Sequence, residues 1–270
     1  MSRVYFPGET YGEAEYPSAL AIGDSWFWYM RSNILDAVVH NKAMSRDHAN
    51  IQAVGFNGAQ LLDCVGAGMH ADAVRHYLQQ NFGKGFSEFY VSGAGNDAIK
   101  IGLALKKDCG SCKTPLSCLD PVGFEDFLGR ISSALSTLIY EIRWAYRNDN
   151  SAGQLIFIHG YDYPVPDGRG FAGGQGWIKP KMDDRGVDKD IEFRKEFTKI
   201  LIDRLNVEVF MQFHSPVNRV IYIDSRETLS FQSENYVKDW ANEMHPTAAG
   251  FKKIVNKHWI PALRKYGIAT

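Results

Sequence analysis

Five short apolar runs punctuate the chain, at residues 20–22, 51–54, 89–91, 155–158 and 220–223. They lack polar alternation and end at Gly, Asn or Asp, the pattern of strands buried on both faces. Between them the apolar spacing turns helical. Phe124, Phe127, Leu128, Ile131, Leu135, Leu138, Ile139 and Ile142 follow steps of 3, 1, 3, 4, 3, 1 and 3, which put all eight on one stripe of a helix. Weaker helical patterns cover 61–80, 190–212 and 247–257, with a break expected at Pro261. Strands alternating with helices predict an α/β fold, a mainly parallel five-stranded sheet covered on both faces. No internal repeat and no Pro/Gly/Ser-rich linker divides the chain, so residues 1–270 are expected to form a single domain. Two segments fit no regular element and are expected as inserted loops. One is 106–121, with two prolines and three cysteines; the other is 164–186, with four glycines between Gly170 and Gly176 followed by Trp177.

Composition narrows the function classes. The 270 residues carry 30 Lys+Arg against 31 Asp+Glu, a net charge of -1, which offers no basic excess for nucleic acid or an anionic membrane. At 45% hydrophobic and 23% charged the chain has an ordinary globular composition. No apolar stretch approaches the roughly 18–20 residues that cross a bilayer. Residues 1–17 show no basic segment followed by an apolar one, so no cleaved export signal is expected, and the expected location is cytoplasmic, with signal-independent export left open. Cys64 stands alone and Cys109, Cys112 and Cys118 cluster, too few for a disulfide framework. Those three could hold zinc with Asp108 or a distant histidine, but only one C-x2-C pair is visible, and a thiol cluster or a loop disulfide is expected instead.

In open α/β sheets, ligands bind beyond the carboxyl ends of the strands. The first run ends in Gly23-Asp24-Ser25, followed by Trp26-Phe27-Trp28-Tyr29; the second in Gly55-Phe56-Asn57-Gly58; the third in Gly93-Ala94-Gly95-Asn96-Asp97. Near the C-terminus stands Asn242-Glu243-Met244-His245-Pro246. A hydroxyl, a glycine N–H, an amide and an imidazole are the parts acyl transfer needs: nucleophile, base and oxyanion donors. Each has a structural reading as well. Asp24 and Ser25 suit a helix N-cap, Gly58 a turn, and Asn96-Asp97 the cap of a following helix. There is no G-x-S-x-G elbow, which argues against an ordinary α/β-hydrolase.

With these four blocks in this order from Gly23 to His245, the chain resembles the SGNH hydrolases, the GDSL-type esterases and lipases. The resemblance implies a three-layer α/β/α fold of flavodoxin-like type. It implies catalysis by Ser25 as nucleophile and His245 as base, and an oxyanion hole of Ser25 N–H, Gly58 N–H and the Asn96 amide. It implies no metal and no organic cofactor. Two positions depart from the family's pattern. Ala94 replaces a usual glycine two residues before Asn96, and Asn242 replaces the usual Asp three residues before the histidine. Asn242 can orient the imidazole but has no charge to stabilise imidazolium, so a Ser25–His245 dyad oriented by Asn242 or a backbone carbonyl is expected. Glu243 and Asp239 are less suited as the acid by their spacing. Trp26, His159 and Trp177 are candidate substrate contacts; a core place for Trp26 and a hydrogen-bonded structural one for His159 are the competing readings. The implied activity is hydrolysis of carboxylic esters through an acyl-enzyme on Ser25. The expected partner is a small short-acyl ester or an acylated sugar; oligomeric state is left open. An acyltransferase and a non-catalytic binding protein on the same fold are the rivals.

Overall fold

The computed structural model describes residues 3–12, 15–29, 32–79, 85–97, 102, 104–148, 153–187, 190–232 and 234–270. All five apolar runs are strands, and a sixth joins them. In chain order they are β1 Arg3–Tyr5, β2 Ala19–Gly23, β3 Asn50–Gly55, β4 Glu88–Ser92, β5 Leu155–His159 and β6 Val220–Ile223. Every pairing is parallel, in the order β1-β3-β2-β4-β5-β6. The expected count of five is therefore corrected to six. Only Tyr5 of β1 is buried, so this short edge strand left no apolar run to read. The other five keep the 2-1-3-4-5 order of flavodoxin-like folds. β2, β4 and β5 are buried at every position, as strands covered on both faces must be.

Helices complete three layers. Ile34–Val39 packs with Ala248–Ile254 on one face; Leu61–Val65 and Met69–Leu78 pack with the long Pro121–Ala145 helix on the other. The long helix starts where Asp120 accepts from the Val122 and Gly123 N–H groups and Pro121 fills the first turn. Six of the eight stripe residues are buried; Phe127 and Ile139 sit half-buried at its edges. The pattern over 61–80 splits into two helices around Gly66 and Gly68, the latter at φ +120°.

Two expectations about helix ends change. The helix Ile191–Arg204 widens into a π-turn at Leu205–Val209, where the Asn206 amide donates to Ile202 O and Tyr161 O (2.8 and 3.2 Å). Pro261 does not end the last helix. A π-turn at Val255–Trp259 precedes it, and the helix resumes at Ile260–Arg264 with Pro261 in its first turn, where a missing N–H breaks no ladder. Residues 164–186 are also more ordered than expected, with a short helix at Ile178–Asp183. No helix among the described residues is long and apolar enough to cross a membrane.

The register brings the site's loops to one level. Gly23 lies opposite Gly55 on one side and Ser92 on the other, so the chain leaves β2, β3 and β4 side by side. A side chain at Gly55 would place Cβ only 1.9 Å from Gly23 O, so only glycine permits the approach. β2 lies between β3 and β4, so the order reverses around it, and the crevice above its end is where this class of sheet binds ligands.

Candidate active site

Asp24 caps the short helix Ser25–Trp28: its carboxylate accepts from Trp26 N–H at 3.0 Å. The capping duty falls on Asp24, and the Ser25 hydroxyl is left for other work. Ser25 Oγ lies 2.7 Å from His245 Nε2, and His245 Nδ1 lies 3.0 Å from Asn242 Oδ1. That oxygen also accepts the backbone N–H groups of Met244 and His245, at 3.0 and 2.9 Å. Only an oxygen can accept there, so Asn242 presents an acceptor to Nδ1, and Nδ1 carries the imidazole proton. Nε2 then faces Ser25 with its lone pair. Burial alone pushes the His245 pKa down to about 4, with no neighbouring carboxylate to raise it.

Tyr29 completes the support. Asn242 Nδ2 donates to its hydroxyl at 3.1 Å, and its ring stacks on the His245 imidazole, centroids 4.2 Å apart and 11° from parallel. Trp177 meets the other side of the imidazole edge-on at 5.7 Å. Ser25 and His245 open onto a cleft of about 300 Å³, also lined by Gly58, Asn96, Phe171 and Trp177. Gly58 has φ +86° and open space where a Cβ would stand. Asn96 donates one amide hydrogen to Ala59 O at 3.0 Å; its amide has a second hydrogen to give. The helix that Asp97 is expected to cap would fall on residues 98–101, outside the described residues, and Asp97 has another duty. It accepts from Leu61 N–H at 2.9 Å and so holds the start of the Leu61–Val65 helix, and burial raises its pKa to about 6.

Ser25, Gly58, Asn96, His245 and Trp177 thus share one cleft, with Asn242 buried behind the imidazole, whereas two candidate contacts lie elsewhere. Trp26 is buried beneath the site, its Nε1–H bound to Met244 O at 3.0 Å, and it lines a separate apolar cavity of about 50 Å³. A ring one position after Ser25 on a helix must turn away from the face that carries the hydroxyl. His159 is fully buried among Trp26, Phe27, Tyr161 and Trp259, and accepts from Trp259 Nε1–H at 3.3 Å. Burial lowers its pKa to about 3. It ends β5 on the inward side of the pleat, which holds it in the core and off the rim.

Two neighbours have roles that the sequence reading did not give them. Tyr29 stands four residues after Ser25, one helical turn on, and that spacing could have marked it. Glu243 is fully buried and accepts four backbone N–H groups: Gly168 and Lys179 at Oε1 (2.8 and 3.0 Å), Trp177 and Ile178 at Oε2 (2.6 and 2.7 Å). It draws the 164–186 segment over the site, directly beside His245. No local pattern announces this, because its partners lie more than sixty residues away.

No family model and no curated protein matches the chain. Among solved structures, it is similar to an extracellular lipase from Streptomyces rimosus, at 12% identity and TM-score 0.37, over 89% of this chain and 99% of that one. It is similar also to a catalytic mutant of an acetylxylan esterase from Geobacillus stearothermophilus, at 12% identity and TM-score 0.44, over 94% and 96%. Likeness at this level carries no inference about chemistry, which has to come from the cleft itself.

Proposed function

We propose that the chain hydrolyses carboxylic esters through an acyl-enzyme on Ser25. The observation that carries this is the 2.7 Å contact of Ser25 Oγ with His245 Nε2 inside an open cleft, with Asn242 holding the opposite ring nitrogen. His245 takes the hydroxyl proton as Ser25 Oγ attacks the ester carbonyl. The oxyanion then lies near the Ser25 N–H at the helix start, the Gly58 N–H and the Asn96 amide. His245 returns the proton to the departing alcohol, and water repeats the sequence on the acyl-enzyme. A cleft of this size, walled by Tyr29, Phe171 and Trp177, suits short acyl groups, acetyl on a sugar or a small aryl ester.

A fluorophosphonate probe followed by peptide mapping tests the nucleophile. Labelling is expected on Ser25, absent in Ser25→Ala and greatly slowed in His245→Ala; a folded protein that takes no label would end the esterase reading. That result would favour a binding protein on this fold, which the uncharged Asn242 also favours. Acetyl and butyryl nitrophenyl esters are expected to turn over faster than C10–C16 esters. Transfer to an added sugar or alcohol in preference to water would make the enzyme an acyltransferase.

A further inference from the structure

We propose that Cys109, Cys112 and Cys118 bind one zinc ion that staples the loop beneath the 164–186 segment. Their three sulfur atoms all lie within 4.8 Å of one another. Three thiolates at the roughly 2.3 Å typical of zinc–sulfur bonds stand about 3.8 Å apart in a tetrahedron, so closing on an ion needs a contraction of about 1 Å or less. All three are free thiols, which sets aside the loop disulfide expected from sequence. Cys109 and Cys118 are buried and Cys112 is half-buried, so the sulfurs form a pocket with one side toward solvent.

The backbone holds that pocket from both sides. Leu105 and Leu119 form an antiparallel bridge, Lys106 N–H donates to Cys118 O at 2.9 Å, and Cys112 N–H closes a turn onto Cys109 O at 3.0 Å. Besides one another, two of the thiols reach carbonyls: Cys109 Sγ lies 3.5 Å from Lys106 O, and Cys112 Sγ 3.4 Å from Ser117 O. These are weak bonds that an ion would readily replace. A bound cation draws off thiol protons outright, so the three sulfurs would bind it as thiolates. Sulfur donors favour a soft or borderline cation over magnesium or calcium. Among the described residues no fourth His, Cys, Asp or Glu atom joins the group, which leaves the fourth position to water. Binding releases three thiol protons to solvent. The resulting tris-thiolate zinc has a net charge of -1, and exposed Lys106, Lys107 and Lys113 lie on the same loop. Cys109 N–H also donates to Arg185 O at 2.7 Å, just past the Ile178–Asp183 helix, so the ion would anchor the far end of the segment that Glu243 anchors at the near end.

The test is elemental analysis of the full chain, purified under reductant and without chelator, beside a cobalt(II) titration of chelator-stripped protein. About one zinc per chain and a cobalt–thiolate charge-transfer band are expected. Cys112→Ser, at the half-exposed position, should keep the wild-type circular dichroism and lose both the metal and the band. Three results would each overturn the site: reduced, folded protein with neither zinc nor a thiolate band; a cysteine crosslink in the protein as isolated; or stoichiometric metal retained in Cys112→Ser.

Discussion

Asn242 decides the character of the base. Its oxygen orients the His245 ring as an aspartate would, through the same contact with Nδ1, but it adds no charge to favour imidazolium. With burial holding the pKa near 4, His245 stays deprotonated across the neutral range, as a base available everywhere but weak. Ester hydrolysis should therefore show a flat kcat/KM from neutral pH down to about 5 and lose half its value near pH 4; an acid limb near pH 6.5 would contradict the assignment. Asn242→Asp supplies the missing charge. It should move that limb to higher pH and raise kcat, by less than about tenfold for each unit gained, since the proton is only partly transferred in the transition state. Asn242→Ala is expected to lower kcat far less than His245→Ala. Asn96→Ala should stay folded and lose on the order of 10²–10³ in kcat, the usual effect of removing one oxyanion donor. Ala94 carries a different tension. It sits at φ +95° with its methyl fully buried, in backbone territory that favours glycine. Ala94→Gly should relieve about 1 kcal/mol of strain, seen as a higher midpoint in urea; an unchanged or lower midpoint would show that methyl packing outweighs the strain.

At the scale of elements, the 164–186 segment is a covering arm tied at Glu243. Four backbone N–H groups end on one buried carboxylate, three of them the otherwise unpaired donors at the start of the Ile178–Asp183 helix, and they bring Trp177 against His245. Glu243→Gln keeps the shape but turns an N–H₂ toward N–H donors. It should release the arm: faster proteolysis within 164–186, a higher KM, and a smaller change in kcat. Wild-type protease resistance in that variant would mean that Arg169, whose guanidinium reaches Trp240 O and Ala241 O (3.2 and 3.3 Å), holds the arm by itself.

For the molecule as a whole, buried ionisable groups set the response to acid, and they pull in opposite directions. His159 and His245 have folded pKa values near 3 and 4, below the ordinary 6.5, so the unfolded chain takes up their protons first and stability falls as pH drops below about 6.5. Asp97 and Asp162 are both raised to about 6 by burial, so the folded chain takes up their protons first and stability rises over roughly pH 6 to 4. The two effects oppose each other in that window, and a shallow stability curve is expected there, with the steep loss below it. Asp97→Asn keeps an acceptor for Leu61 N–H and removes one of the compensating groups. Its stability should fall visibly more than wild type between pH 6 and 4 in chemical denaturation; parallel curves would refute the assignment.

Written along the chain are the five buried strands, the apolar stripe of the long helix from Phe124 to Ile142, and the strand ends that carry Ser25, Gly58 and Asn96; the Asp120-Pro121 start of that helix emerged only in the fold. Strands, stripe and strand ends are set by local spacing and by residue type at a turn. Only tertiary structure decided the rest. A three-residue edge strand leaves too short a pattern to read, and a wide helical turn that absorbs Pro261 depends on how its neighbours pack. Whether an aromatic or a histidine beside the site faces the cleft or the core depends on which side of a helix or pleat it occupies, and this separated Tyr29 and Trp177 from Trp26 and His159. The Glu243 clamp joins a side chain to backbone more than sixty residues away, a folded distance that no spacing along the chain encodes.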